Sequence, residues 1–140
     1  MRLQLAFPAV LAIVAVLSTA GPALADCTGQ TWSQSTLYMG RSLADGGTVG
    51  EDEVQAFVND TIVPAFPDGF TIVDARGHWL DRGTGLGIGE TTVMFVVAHP
   101  PSAESDAALQ RVADAYIARF RQSAVLRSSH PVCVTFYEKK

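Results

Sequence analysis

Two hydrophobic periods alternate along the chain, and their order lays out the elements. "STLYMGRS" (35–42) is rich in strand formers and runs into the turn-rich "LADGGTVG". "EDEVQAFVNDTIVPAF" then places Val54, Phe57, Val58, Thr61 and Ile62 at helical spacing. The acids at 51–53 fall where the positive end of a helix dipole favours them. Thr48 with Glu51, or Gly50 with Glu53, supplies a start signal. Pro64 lacks an N–H and restricts Val63, so the helix is expected to end or kink there. Pro67-Asp68-Gly69 fits a type I turn. A strand is predicted from Phe70 to Leu80 and another over 90–100, joined by "DRGTGLGIG" as a β-hairpin with a long glycine-rich tip. The second of these strands is apolar on both faces from Val93 to Val97, which predicts a central strand covered on both sides. Leu109, Val112, Ala113, Tyr116, Ile117 and Phe120 form one helical stripe, with Arg111, Asp114, Arg119 and Arg121 on the polar side. "AVLRSS" and "VCVTFY" close the chain as strands, with a turn expected at His130-Pro131.

The predicted order is β-α-β-β-α-β, which points to an α+β, ferredoxin-like sandwich. Two helices cover one sheet face and leave the Met94/Val96 side without a partner. Either the terminal segments cover that side or a second subunit does, and a homodimer joined sheet to sheet, as in dimeric α+β barrels, is the expectation.

The N-terminal apolar run has a separate explanation. Arg2 precedes an apolar stretch from about Leu5 to Leu17, followed by "STAGPALAD". A basic start, a core shorter than a membrane span and small residues before Asp26 describe an export signal, cleaved after Ala25. Cleavage at Ala20 and an uncleaved anchor are the alternatives. "LADC" resembles a lipobox, so a lipid anchor on Cys27 is a further alternative, although Asp26 puts a charge where a small residue is wanted. Residues 26–34 are then an N-terminal segment tethered by a disulfide, and 35–140 a single domain. Loss of Arg2 makes the formal charge of −4 one unit more negative. An acidic chain without a basic run excludes nucleic acid and anionic membrane as natural partners, and no second apolar stretch reaches spanning length.

Both cysteines, Cys27 and Cys133, lie beyond the signal. In an oxidising compartment two cysteines in a small domain pair. That bridge closes a loop of about 105 residues, for which the chain-entropy treatment gives about 4–5 kcal/mol. A nucleophilic Cys133 is the alternative, against which "VCVTF" reads as a strand.

"LYMGRS", "VPAFPDGFTIVDARGHW", "GETTVMFVV", "RFRQSAVL" and "CVTFY", in that order, resemble DUF3574, a bacterial family of small exported proteins. The resemblance covers nearly the whole chain after the signal and implies export and a small α+β domain. The family's name records an unknown function, and no catalytic residue is carried over. At His78 the family pattern more usually has glutamine.

Six residues are candidates for ligand binding: Arg41, Asp74, Arg76, His78, Trp79 and Glu90. In a regular strand Asp74, Arg76 and His78 share one face with Phe70 and Ile72, and Trp79 lies on the other with Val73, Ala75 and Gly77. A bulge at Gly77 would change that parity and re-aim Trp79. Arg41, if buried, needs a carboxylate, for which Asp74 or Glu90 is the expected partner. "GTGLGIG" lacks the lysine of a P-loop and links two antiparallel strands, so it is a hairpin tip rather than a phosphate cradle. His99 and His130 both precede proline and no two histidines share close spacing, so neither a metal nor a cofactor is expected. The leading expectation is an exported domain that binds a small molecule or an envelope protein without catalysis. The alternatives are a cofactor-independent enzyme, an oxygenase or dehydratase by fold analogy, using the His78/Trp79 region, and a purely structural envelope component.

Overall fold

The computed structural model describes residues 27–139, so the export signal expected over 1–25 lies outside the described residues. Four strands and two helical stretches follow in the order β-α-β-β-α-β. They are β1 (Gln30–Gly40), helix α1, β2 (Thr71–Leu80), β3 (Gly87–His99), α2 (Ala103–Phe120) and β4 (Leu126–Val134). Helix α1 is continuous but changes pitch. It is α-helical over Glu51–Phe57, π-helical over Val58–Ile62 and α-helical again over Val63–Ala65. The π turn stands immediately before Pro64, whose ring would clash with the carbonyl of Asp60 in an unbroken α-helix. The expected interruption at Pro64 is thus absorbed one turn earlier, and the helix ends at Phe66.

The sheet is antiparallel throughout, in the order β2-β3-β1-β4. Each helix therefore links two parallel strands that are separated by a third. Leu37, Met39, Val93, Phe95 and Val97 point to the helical side, where they meet Phe57, Ile62, Leu109, Val112 and Tyr116 in one core. Phe57 stands edge-on to Tyr116, and Phe70 edge-on to Phe95. The Tyr116 hydroxyl donates to the Gly40 carbonyl at 3.0 Å, tying α2 to the end of β1.

Two boundaries differ from the sequence-based expectation. β1 begins at Gln30 rather than Ser35, because β4 pairs along it as far as Gln30↔Val134. β4 runs straight through His130-Pro131 with no turn. It is an edge strand, where a proline's missing N–H breaks no ladder bond on the open side. Cys27 and Cys133 form a disulfide next to this pairing, with Cα atoms 5.5 Å apart.

The opposite face of the sheet carries no helix. Trp32, Thr36 and Tyr38 of β1, Met94 and Val96 of β3, Val73 and Trp79 of β2, and Leu126 and Val132 of β4 share it by register. The C-terminal segment folds back over one end, where Phe136 stands edge-on to Trp32. Val73, Trp79 and Leu126 remain exposed.

Candidate functional site

β2 and β3 pair without interruption from Thr71↔Val96 to Leu80↔Gly87. There is no bulge at Gly77, and the pleat alone decides which way each side chain points. A Cβ on Gly89 would lie 3.2 Å from His78 Nε2, and one on Gly77 would lie 2.7 Å from Thr92 Oγ1. His78 thus reaches over Gly89 on the helical side of the sheet, and Trp79 lies on the other side, half exposed.

Ile72 packs against the core, but Asp74, Arg76 and His78 along the same line are exposed, because the hairpin runs out past the helices. Beyond that limit lies a groove of about 260 Å³ lined by Arg76, His78, Gly89, Glu90 and Thr91. Gly89 matters here, since any larger residue would fill the space that the imidazole occupies. Neither Arg76 nor His78 makes an ion pair or side-chain hydrogen bond among the described residues. Four ion pairs are formed there, and they involve Arg41, Arg119, Arg121 and Arg127.

The groove is lined by three of the six candidates, Arg76, His78 and Glu90, but by register the Glu90 side chain belongs to the opposite face, with Trp79. Asp74 shares the face of Arg76 and His78 but does not line the groove. Arg41 is elsewhere and differently paired. Its Nε donates to the Val49 carbonyl at 2.8 Å and its Nη1 reaches Glu51 at 3.1 Å, so its carboxylate is neither Asp74 nor Glu90. The reason is local: the Val49 N–H donates to the Arg41 carbonyl at 2.8 Å and Ser42 bridges to Thr48, which closes the 43–48 loop and brings the first turn of α1 to the guanidinium. Glu90 lies over Gly40, where a Cβ would meet its carboxylate at 2.6 Å.

The hairpin tip is held by Asp81. Its carboxylate accepts from Gly83 N–H at 2.8 Å and from the Thr84 hydroxyl at 2.9 Å. Those bonds hold the Asp81 carboxyl below the usual carboxylate range. A second cavity, of about 310 Å³, is lined by Leu43, Ala44, Asp45 and Arg121, and its two charges answer each other at 3.6 Å.

A second polar group lies between β1, β3, β4 and the start of α2. Ser35 is fully buried and His99 is 4% exposed. Ser35 Oγ is 2.9 Å from His99 Nε2 and 2.8 Å from Ser129 Oγ, and His99 Nδ1 is 2.9 Å from the Pro100 carbonyl. Arg127 donates from Nε to Ser129 Oγ at 3.0 Å and binds Asp106 through Nη2. That hydrogen bond, and then the guanidinium charge, hold the Asp106 carboxyl below its ordinary value. Sequence reasoning missed this group. The signal was present in the parity of the strands: Ser35 and His99 occupy the inward positions of β1 and β3 that otherwise hold Leu37, Met39, Val93, Phe95 and Val97.

Among the described residues no three His, Cys, Asp or Glu side chains gather as a metal site, and no helix is long and apolar enough to cross a membrane.

No curated protein matches this chain. Among solved structures, a phage SAM lyase in complex with S-methyl-5'-thioadenosine is similar with a TM-score of 0.56 at 17% identity, over 83% of this chain and 100% of that one. The same phage enzyme in its apo state gives 0.55 at 18% identity, with the same coverage. At these identities the likeness is one of fold. Residues 34–136 match DUF3574, described as a protein of unknown function. The chain belongs to the DUF3574 family.

Proposed function

We propose that this protein is an exported, ferredoxin-like binding domain that takes a small anion, a carboxylate or phosphate, in the groove of the β2–β3 hairpin. The observation that carries this reading is an arginine and a histidine two residues apart on one face, without side-chain partners among the described residues, beside a glycine that keeps the space open. A guanidinium and an imidazole side by side supply several N–H donors and a positive field, the recognition chemistry of an oxyanion. The Glu90 carboxylate lies over Gly40 on the other face of the sheet, so Arg76 and His78 are the polar side chains that face the groove. The β-α-β-β-α-β element order and the sheet order β2-β3-β1-β4 support the ferredoxin-like reading. The Cys27–Cys133 disulfide accords with an oxidising compartment.

Groove residues belonging to the hairpin alone offer no buried base and no shielded reacting centre, which favours binding over catalysis there. The phage neighbour's S-methyl-5'-thioadenosine is uncharged, and the Arg76/His78 pair selects against it. Calorimetric titration of the protein with acetate, an α-amino acid, inorganic phosphate and S-methyl-5'-thioadenosine tests the reading. Binding of at least one anion, weakened about tenfold or more in Arg76→Ala, supports it. Binding of none of the anions, or an anion affinity unchanged in Arg76→Ala, refutes it.

A second element of the proposal concerns the partner. On the face without helices, the outward positions of all four strands include no aspartate, lysine or arginine, and Glu90 at the hairpin end is the one carboxylate. A sheet face meant for water normally carries charges among its polar positions. An uncharged face built around Tyr38, Met94 and Val96 suits a second copy of the same chain, which pairs through a self-complementary surface.

A further inference from the structure

With His99 neutral, the hydrogen bonds around Ser35 take one set of directions. The Pro100 carbonyl only accepts, so His99 Nδ1 carries a proton and donates it there. In the neutral imidazole Nε2 is then an acceptor, and the Ser35 hydroxyl donates to it. With its own proton committed, Ser35 Oγ receives the proton of Ser129, and Arg127 Nη2 approaches the same oxygen at 3.4 Å. Ser129 Oγ in turn accepts from Arg127 Nε. The result is a one-way chain from an exposed hydroxyl to a buried base, Ser129 to Ser35 to His99.

We infer that Ser129 is a nucleophile, activated by His99 through Ser35, that accepts an acyl group from small esters whose leaving group departs as an anion. The elements of such a site are an activated hydroxyl, a base held in one tautomer and a cation near the acyl carbonyl oxygen, where negative charge develops. Here His99 is the base, the Pro100 carbonyl fixes its tautomer, and Arg127, 3.0 Å from Ser129 Oγ through Nε, is the cation beside the point of attack. In the step, the Ser129 Oγ–acyl carbon bond forms as the ester C–O bond breaks. The Ser129 proton moves to Ser35 Oγ while the proton of Ser35 moves to His99 Nε2. The positive charge gained by the imidazole balances the anion released to solvent. Among the described residues, Ser129 Oγ is bonded to Ser35 and Arg127 and to no general acid that could protonate a leaving group, which restricts the donors to aryl esters and comparable activated acyl groups. Asp106 from α2 is the charged group near enough to act on His99 through its field, and it is itself bound by Arg127 of β4, which also reaches Ser35 and Ser129.

This site is separate from the hairpin groove and stands or falls independently of it. The test is covalent labelling of the full exported protein with a fluorophosphonate, followed by peptide mapping in a mass spectrometer. The expected result is one dominant adduct, on Ser129, absent in Ser129→Ala, and formed with a sigmoidal pH–rate profile. Ser35→Ala removes a single oxygen and cuts the chain. It is expected to slow labelling at least tenfold and abolish the sigmoid, with thermal melting confirming that the variant is folded. His99→Gln serves as the second interruption. An adduct rate at Ser129 no greater than at the exposed Ser123, or one unchanged in folded Ser35→Ala, overturns the proposal.

Discussion

His78 and Trp79 are neighbours in sequence and lie on opposite faces of an unbulged strand, His78 opposite Gly89 and Trp79 opposite Ile88. Whatever binds at the imidazole does not touch the indole. Trp79→Ala is therefore expected to leave anion affinity unchanged, whereas Arg76→Ala lowers it about tenfold or more, the equivalent of roughly 1.4 kcal/mol. Gly89→Val fills the groove and abolishes binding while the strand pairing persists. Equilibrium titration of the three variants checks the pattern.

This split explains how far the sequence could be read. Alternation along β2 placed Asp74, Arg76 and His78 together and Trp79 apart, and the uninterrupted register bears that parity out. Gly77 left a bulge open, since a glycine in a strand signals either a bulge or a close approach. Here it is the latter, with Thr92 Oγ1 above it. The partner of Arg41 was not legible, because it depends on how a loop folds back, and the nearest carboxylate in space is Glu51. The strand through Pro131 was hidden for a related reason: whether proline ends a strand depends on its being at a sheet edge, a fact of topology. Ser35 and His99 were legible as polar residues at inward parity, but their pairing required the register of three strands.

The uncharged sheet face gives a prediction about assembly. Val96 sits on it beside Thr36 of β1 and Thr71 of β2. Val96→Glu is expected to convert a dimer to a monomer in sedimentation without loss of the monomer's helical signal, since Val96 points away from the core. A wild-type protein that sediments as a monomer at high concentration contradicts the sheet-paired dimer.

Tyr116 sets an alkaline limit to stability. It is fully buried, and burial pushes its hydroxyl up to about 12, with Arg41 opposing and Glu90 reinforcing the shift. In the unfolded chain the phenol ionises near its model value of 10.0. Below that value both states hold the proton and the folded form has its full stability. Between about pH 10 and 12 only the unfolded chain releases it, so stability falls with rising pH, by on the order of 2 kcal/mol in all. Tyr116→Phe is expected to flatten this part of the curve, at the cost of about 1 kcal/mol for the bond to the Gly40 carbonyl. Urea melts from pH 9 to 12 compare the two.

Arg121 ends α2 in the left-handed region, with φ of 53°. Glycine takes that conformation without the steric cost a side chain incurs. The ion pair of Arg121 with Asp45 is exposed on both sides and contributes little. Arg121→Gly is expected to stabilise the fold by about 0.5–1 kcal/mol, read as a higher urea midpoint at an unchanged m-value.

The disulfide joins the residue run that begins β1 to the strand that pairs with it, 106 positions away. Replacing Cys27 and Cys133 together by serine is expected to cost up to about 4–5 kcal/mol, with the loss arising mainly from the greater freedom of the unfolded chain. The Gln30↔Val134 pairing is made by backbone groups, so the folded variant is expected to retain the wild-type strand register, which amide exchange of the variant and the oxidised protein can compare.

The most direct test of the binding account is an amide and side-chain NMR titration of the oxidised protein with inorganic phosphate and with a small carboxylate. The account predicts that shifts concentrate on Arg76, His78, Gly89, Glu90 and Thr91, with Tyr38, Met94 and Val96 unmoved. Shifts confined to the uncharged sheet face, or no saturable shift at all with either anion, would contradict it.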